Sequence, residues 1–181
     1  MSNKTSKSNR GFTLLEVIIA VFIISVGVGG MAAIMPSLIS GSSINQSRLV
    51  AAYLAQEGIE IVRNIRDTNW LEDHYGPVPV AWDEGFFPMS FDCTTGCEID
   101  YLGVSAPPNI GPYTGAKLKI DPINGYYNYA SGQDTKFDRK ITVQRDWGDP
   151  NNILIITVDV FWNDRGKPYN FSVQEKLYKW Y

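Results

Sequence analysis

The sequence predicts an α+β protein in which a long N-terminal helix, with a transmembrane half and an amphipathic half, packs on a C-terminal antiparallel β-sheet. Three patterns in the 181 residues support this fold class. An apolar run follows a basic N-terminus, a helical periodicity continues beyond that run, and the last third alternates apolar and polar residues at the period of a strand. The length suits one modest domain with an anchor.

The apolar run begins directly after a short basic segment. Residues 1–11 carry three cations and no acidic residue, and residues 12–40 carry a single charge, Glu16. Because roughly 20 apolar residues cross a bilayer as a helix, we expect residues 12–40 to form a transmembrane helix. The cations predict a cytoplasmic N-terminus, which places residues 41–181 outside the cytoplasm. A cleaved secretory signal is the alternative, although its apolar region would be shorter and would end at a small-residue site.

The charge within the span needs a physical explanation. An acidic side chain near the bilayer centre costs on the order of 3 kcal/mol. Glu16 lies close to the start of the run, so one alternative is that its side chain snorkels to the cytoplasmic interface. That alternative leaves the surrounding residues, GFTLLE, unexplained.

The stretch GFTLLE, after a basic leader and before an apolar run, resembles the type IV prepilin signature. In that family a membrane peptidase cleaves after the glycine and methylates the new N-terminus. The resemblance implies a leader of residues 1–11, cleavage between Gly11 and Phe12, and N-methylation of Phe12. It also implies that Glu16 directs assembly by pairing with the Phe12 amine of a neighbouring subunit, since both charges lose their water in a bundle of helices.

The chain looks most similar to PilV-like minor pilins and to the pseudopilins of type II secretion. That resemblance implies a structural subunit, not an enzyme, of a type IV pilus or a related secretion or DNA-uptake filament. It implies three partners: the prepilin peptidase, other pilin subunits and the inner-membrane assembly platform. The chain would be a single-pass membrane protein before assembly and part of a cell-surface or periplasmic filament afterwards.

Two alternatives stay open within this interpretation. One is a major adhesive pilin whose exposed domain binds a surface or DNA. The other is a membrane-anchored extracellular binding domain or enzyme that does not polymerise.

Residues 41–70 continue the helix as an amphipathic segment of the extracytoplasmic domain, which spans residues 41–181. Apolar positions recur at intervals of three and four along one side, at Leu54, Ala55, Gly58, Ile61, Val62 and Ile65. Polar residues lie on the opposite side, and Arg63 is expected to pair with Asp67 at i,i+4. The apolar side therefore needs a surface to cover it.

The last third contains three runs with apolar residues at alternate positions. The connectors GDPNN and NDRGKP carry turn residues, so three consecutive antiparallel strands are expected beneath the amphipathic helix. The alternating residues are Phe137, Ile141, Val143 and Trp147 in the first run, Leu154, Ile156, Val158, Val160 and Trp162 in the second, and Tyr169, Phe171, Val173 and Leu177 in the third.

The two cysteines, Cys93 and Cys97, lie in a segment rich in Pro, Gly and aromatic residues. That segment is predicted to be a long loop region with one or two short strands. Outside the cytoplasm an even pair predicts a disulfide. A zinc site is the alternative, but it would need further ligands, and the only histidine, His74, is far away in the sequence.

The sequence predicts no catalytic residue, no bound metal and no cofactor. His74 has no companion nucleophile or base motif, and the carboxylates form no paired constellation. Calcium is left open at GDPNN and NDRGKP, although turns use the same residues. Loss of the leader leaves 13 basic residues against 19 acidic ones, which argues against nucleic-acid binding by bulk charge. A local basic patch of Arg139, Lys140 and Arg145 stays open.

Overall fold

The computed structural model describes residues 11–88, 92–103 and 109–179, without the side chains of residues 36–40. The chain divides into two compact units, residues 1–45 and residues 46–181, and the second is called the C-terminal unit below. Helix α1 spans Leu14–Tyr75. It thus begins within the predicted span and extends beyond the predicted amphipathic segment. The predicted leader, residues 1–11, lies outside the described residues except for Gly11.

Within the described residues, the C-terminal unit contains seven strands in one antiparallel sheet. Strand β5 is central, because β6 pairs along one edge while β1 and β3 pair along the other. A short 3₁₀ helix, Tyr101–Gly103, follows β1. The strands are β1 (Cys97–Glu98), β2 (Gly111–Pro112), β3 (Lys117–Ile120), β4 (Tyr127–Asn128), β5 (Gln133–Arg145), β6 (Ile153–Asp164) and β7 (Lys167–Tyr178). The helix and this sheet confirm the predicted α+β class.

The three long strands form the predicted consecutive antiparallel set. β5 pairs with β6 from Phe137 opposite Trp162 to Arg145 opposite Leu154. β6 pairs with β7 along its whole length. The connection between β6 and β7 consists of Arg165 and Gly166, both with positive φ (53° and 79°), which is the backbone that a tight primed hairpin turn requires.

Burial along the strands follows the predicted alternation, with one error. The five alternating apolar residues of β6 are all buried. On β5, Phe137, Ile141 and Val143 are buried as expected, whereas Trp147 is 99% exposed. The prediction for Trp147 was wrong because β5 ends at Arg145, so the indole lies in the following turn, where strand parity no longer applies.

The amphipathic part of α1 packs on this sheet through the six apolar residues predicted to face it, all of which are buried. Gly58 allows a close approach, since a Cβ there would lie 2.9 Å from Val158 Cγ1 on β6. The expected pairing of Arg63 with Asp67 was wrong. Arg63 instead pairs with Glu60 and, at 2.6 Å, with Glu175 of β7, because the neighbouring strand offers a better-placed carboxylate.

Candidate functional site

The candidate site is the beginning of α1, where the cleavage, methylation and assembly residues were predicted. Gly11, Phe12 and Thr13 precede the helix, which starts at Leu14. The backbone N–H of Glu16 donates to Thr13 Oγ1 at 3.3 Å, and the N–H of Val17 donates to the Thr13 carbonyl oxygen at 3.2 Å. Thr13 is therefore the N-cap. Sequence reasoning missed it, although Thr followed three residues later by Glu is the spacing of a capping box.

Glu16 lies in the first turn of the helix and is exposed. The N-terminal end of a helix carries a partial positive charge, so a carboxylate in the first turn is stabilised by about 0.3–1 kcal/mol. Its own helix thus offsets part of the cost of placing this charge in an apolar segment. The pairing of Glu16 with an amine of another subunit stays a prediction.

Gly11 has no packing role within the described chain. A Cβ added at Gly11 would meet no atom within 4 Å. Packing among the described residues therefore does not explain a glycine at this position, and cleavage after Gly11 stays a prediction.

The segment after the cap is apolar over a length that crosses a bilayer. Leu14–Met35 comprises 22 residues with a mean hydropathy of 2.6, and none of these residues is buried within the chain. An exposed apolar surface of this extent is characteristic of a segment that lipid or another polypeptide covers. Length, composition and exposure fit a single-pass membrane anchor.

The predicted cysteine pair is joined by a disulfide between Cys93 and Cys97 in the structure. Both cysteines are buried in the core of the C-terminal unit. The Cys93 N–H donates to the Phe86 carbonyl oxygen, and its own carbonyl oxygen accepts from Val143 on β5. The hydrogen bond from Val143 therefore holds the bridged loop against the central strand, β5.

His74 lies in the last turn of α1. Its ring is exposed and stacks on Trp70, with centroids 5.6 Å apart. Among the described residues, no group of three or more His, Cys, Asp or Glu side chains has the arrangement of a metal site. In the GDPNN turn, the Asn152 side-chain amide donates to Asp149, which is ordinary turn chemistry.

The three cations of the basic patch left open by the sequence lie in different environments. Arg139 is fully buried and donates to the carbonyl oxygens of Leu54 and Ile99. Lys140 Nζ lies over the ring of Tyr113 at 5.7 Å, and Arg145 pairs with a carboxylate at 2.5 Å, that of Asp83. The position of Arg139 on the inward parity of β5, with Phe137 and Ile141, was the signal that could have placed it in the core.

Comparison with known protein families gives a match at the N-terminus. Residues 6–32 match the family described as the prokaryotic N-terminal methylation motif. No curated protein matches the chain, and no solved structure does. The matched residues include Gly11, Phe12 and Glu16 and most of the exposed apolar segment. The methylation motif and the apolar helix after it support a type IV prepilin-like protein.

Proposed function

We propose that this chain is a minor pilin or pseudopilin, which assembles into a type IV pilus or a related secretion filament through residues 12–40. The observation that carries this proposal is the single carboxylate in the first turn of an otherwise uncharged, fully exposed 22-residue helical segment. The methylation motif over the same residues supports a pilus or pseudopilus subunit. A structural subunit agrees with the predicted lack of enzymatic activity.

Cleavage after Gly11 changes the electrostatics of this helix end. A new α-amino group on Phe12 has an ordinary pKa of about 7.7–8.0, so it is mostly protonated at neutral pH. It adds a cation to a helix terminus that is already positive. In a bundle of apolar helices, the Phe12 ammonium and the Glu16 carboxylate of adjacent subunits compensate each other, and a change of register would leave both charges unpaired.

The partners follow from this assembly route. The prepilin peptidase would recognise Gly11 and the leader. The inner-membrane platform would then extract the subunit from the membrane, and other pilins would cover the apolar segment. The subunit would be a single-pass membrane protein before assembly, with the C-terminal unit outside. A cell-surface or periplasmic filament would hold it afterwards.

Leader processing tests this function. In a host with a prepilin peptidase, intact-mass measurement of the membrane fraction should show loss of residues 1–11 and one added methyl group on Phe12. Gly11→Val should keep the leader. Gly30→Val is the matched control, since its Cβ also meets nothing within 4 Å and it lies away from the cut. A wild-type chain that keeps its leader would support the anchored domain that does not polymerise.

Filament incorporation then separates the finer alternatives. Sheared surface filaments should contain the processed chain at low stoichiometry if it is a minor subunit. A chain that makes up the bulk of the filament would instead be a major pilin.

A further inference from the structure

An aromatic cavity of about 270 Å³ opens on the C-terminal unit beside α1. Tyr101 and Tyr126 form a corner in its wall, with ring centroids 5.4 Å apart and planes inclined at 65°. Tyr127 and the Glu57 side chain complete the lining with Gly125. Neither the methylation motif nor the assembly segment includes any of these residues.

Glu57 supplies a carboxylate that is not fully used within the protein. Among the described residues its cationic partner is Arg139, whose Nη1 lies at 3.6 Å, longer than a normal hydrogen bond. Arg139 Nη1 and Nη2 also donate to the carbonyl oxygens of Leu54 and Ile99, at 3.0 and 2.8 Å. Burial raises the pKa of Glu57, Arg139 opposes that shift and Asp100 adds to it. The carboxylate therefore has room for a further cationic partner.

The charge around the cavity favours a cation. Asp100 is buried, and its carboxylate accepts from the backbone N–H groups of Leu102 and Tyr129. Glu57, Asp100 and Arg139 together leave one net negative charge beside three tyrosine rings. Aromatic faces attract cations through their quadrupole, and a neighbouring carboxylate strengthens the attraction. An anion or a neutral polar group would gain neither interaction.

The surroundings of the cavity indicate that the cation belongs to a polypeptide. Ile123 is 94% exposed, and Leu102 and Tyr126 are 56% and 60% exposed. Each of the three is a cavity residue or lies within two positions of one. A small ammonium compound would fill the cavity and leave these exposed apolar side chains in water, whereas a peptide is long enough to contact both.

We propose that this cavity binds a lysine side chain of a partner polypeptide, with the ammonium group between the tyrosine rings and the Glu57 carboxylate. Apolar neighbours of that lysine lie on Leu102 and Ile123. A compact ammonium suits a corner of two inclined rings, while a planar guanidinium prefers to stack on one face. The inference does not depend on filament assembly.

Binding to the full chain in detergent micelles tests this proposal. The probes are the blocked tripeptide acetyl-Leu-Lys-Leu-amide, its analogue with norleucine in place of lysine, and tetramethylammonium chloride, with side-chain NMR shifts of the tyrosines as the readout. The lysine peptide should bind saturably and about tenfold more tightly than the norleucine peptide, because only it carries the cation. It should also bind more tightly than tetramethylammonium, which leaves Leu102 and Ile123 uncovered.

Matched variants locate the site. Tyr126→Leu and Glu57→Gln should each weaken binding of the lysine peptide by about tenfold. Ile123→Ser should weaken binding of both peptides and leave the affinity for tetramethylammonium unchanged. Glu60→Gln, three residues along α1, removes the same charge and should have no effect. Because Glu57→Gln is next to buried Arg139, its fold is checked by near-ultraviolet circular dichroism, and Tyr126→Leu tests the same site without that charge.

Three outcomes would overturn the proposal. Equal affinity for the lysine and norleucine peptides would show that no cation is recognised. Equal or tighter binding of tetramethylammonium would replace the polypeptide partner by a small ammonium ligand. Absence of saturable binding by the lysine peptide would remove the site.

Discussion

Arg139 of β5 donates from Nη1 to the carbonyl oxygen of Leu54 in α1 at 3.0 Å, so a fully buried guanidinium joins the sheet to the helix. Its Nη2 donates to Ile99 after β1. Its Nε has no hydrogen-bond partner among the described residues, and its counter-charge, Glu57, is at 3.6 Å. Helix, central strand and loop thus meet at one cation, and the energetics of the C-terminal unit depend on how well that cation is compensated.

At neutral pH, Glu57→Gln should stabilise the C-terminal unit slightly, because burial raises the pKa of Glu57 and so disfavours its charged form even beside Arg139. The expected gain is below about 1 kcal/mol, since the Glu57 side chain is 33% exposed and loss of the counter-charge to Arg139 opposes it. Glu60→Gln removes an exposed partner of Arg63 and should cost less than about 1 kcal/mol. Denaturant unfolding followed by tryptophan fluorescence measures both, and a loss of more than about 1 kcal/mol for Glu57→Gln would contradict the raised pKa.

Gly58→Ala should destabilise the same unit although alanine favours helices by about 1 kcal/mol. The new Cβ would lie 2.9 Å from Val158 Cγ1 and 3.2 Å from Arg139 Cδ. Overpacking of this kind costs about 1–3 kcal/mol, which exceeds or cancels the gain in propensity. At Gly41, in the same helix, a Cβ meets nothing within 4 Å. Unfolding curves should show Gly41→Ala to be neutral or stabilising, and a stabilising Gly58→Ala would contradict the close helix–sheet approach.

The disulfide should be oxidised in exported protein and should act locally. A loop of this size contributes about 2 kcal/mol in the chain-entropy account, less than a long loop would. The Cys93→Ser, Cys97→Ser double variant should fold but lose protection of residues 92–103 against proteolysis. Mass spectrometry of non-reduced peptides checks the bond, and two free thiols in exported wild-type protein would refute it.

Stability should depend on pH with opposite signs at Glu57 and Asp164. Burial raises the folded-state pKa of Glu57 above its ordinary 4.5, so its contribution to stability is present below the unfolded pKa and is lost as pH rises through the folded pKa. Lys136 lowers the pKa of Asp164, whose contribution is present above its unfolded pKa and lost as pH falls through the folded one.

The measurement is the unfolding free energy of wild type minus that of each neutral variant, across the acid range. As pH falls, wild type should gain stability relative to Glu57→Gln and lose stability relative to Asp164→Asn. Parallel shifts of the two differences would show that the assigned environments are wrong.

Local periodicity was sufficient to predict the helix face and the meander of β5, β6 and β7. On β6 every second residue is apolar, and a sheet with one covered face must bury that set. Alternation predicts burial only within a strand, so the predicted burial of Trp147, just beyond the end of β5, was wrong. It could not give the positions of β3 and β4, because two- to four-residue strands pair through register set elsewhere in the fold.

The charged residues were the less predictable part. Arg63 was assigned to Asp67 from helix spacing alone, but Glu175 becomes its neighbour only when β7 packs beside α1. Arg139 was read as a surface cation from its type, although its parity on β5 matched buried residues. Nothing in the local sequence around Glu57 shows that Tyr101 and Tyr126 line the same cavity. The interactions of these charged side chains depend on residues that are distant in sequence.

At the start of α1, sequence and structure contribute different parts of the account. The motif GFTLLE was visible in the sequence, whereas the capping bond from Glu16 N–H to Thr13 Oγ1 is a property of the folded turn. The cap stabilises the first turn of the helix, whereas the proposed assembly role belongs to the Glu16 side chain. An experiment has to separate the two effects.

Incorporation of Glu16→Ala into sheared filaments tests the central claim most directly, with Thr13→Ala and Glu16→Asp as controls. Thr13→Ala loses the cap, at about 1 kcal/mol, but keeps the carboxylate. Glu16→Ala leaves the Phe12 ammonium of a neighbour unpaired, which costs roughly 3–5 kcal/mol per contact. The account predicts normal membrane levels and leader cleavage for all three, near-normal incorporation of Thr13→Ala, partial incorporation of Glu16→Asp and a loss of at least tenfold for Glu16→Ala. Incorporation of Glu16→Ala at the wild-type level would contradict it.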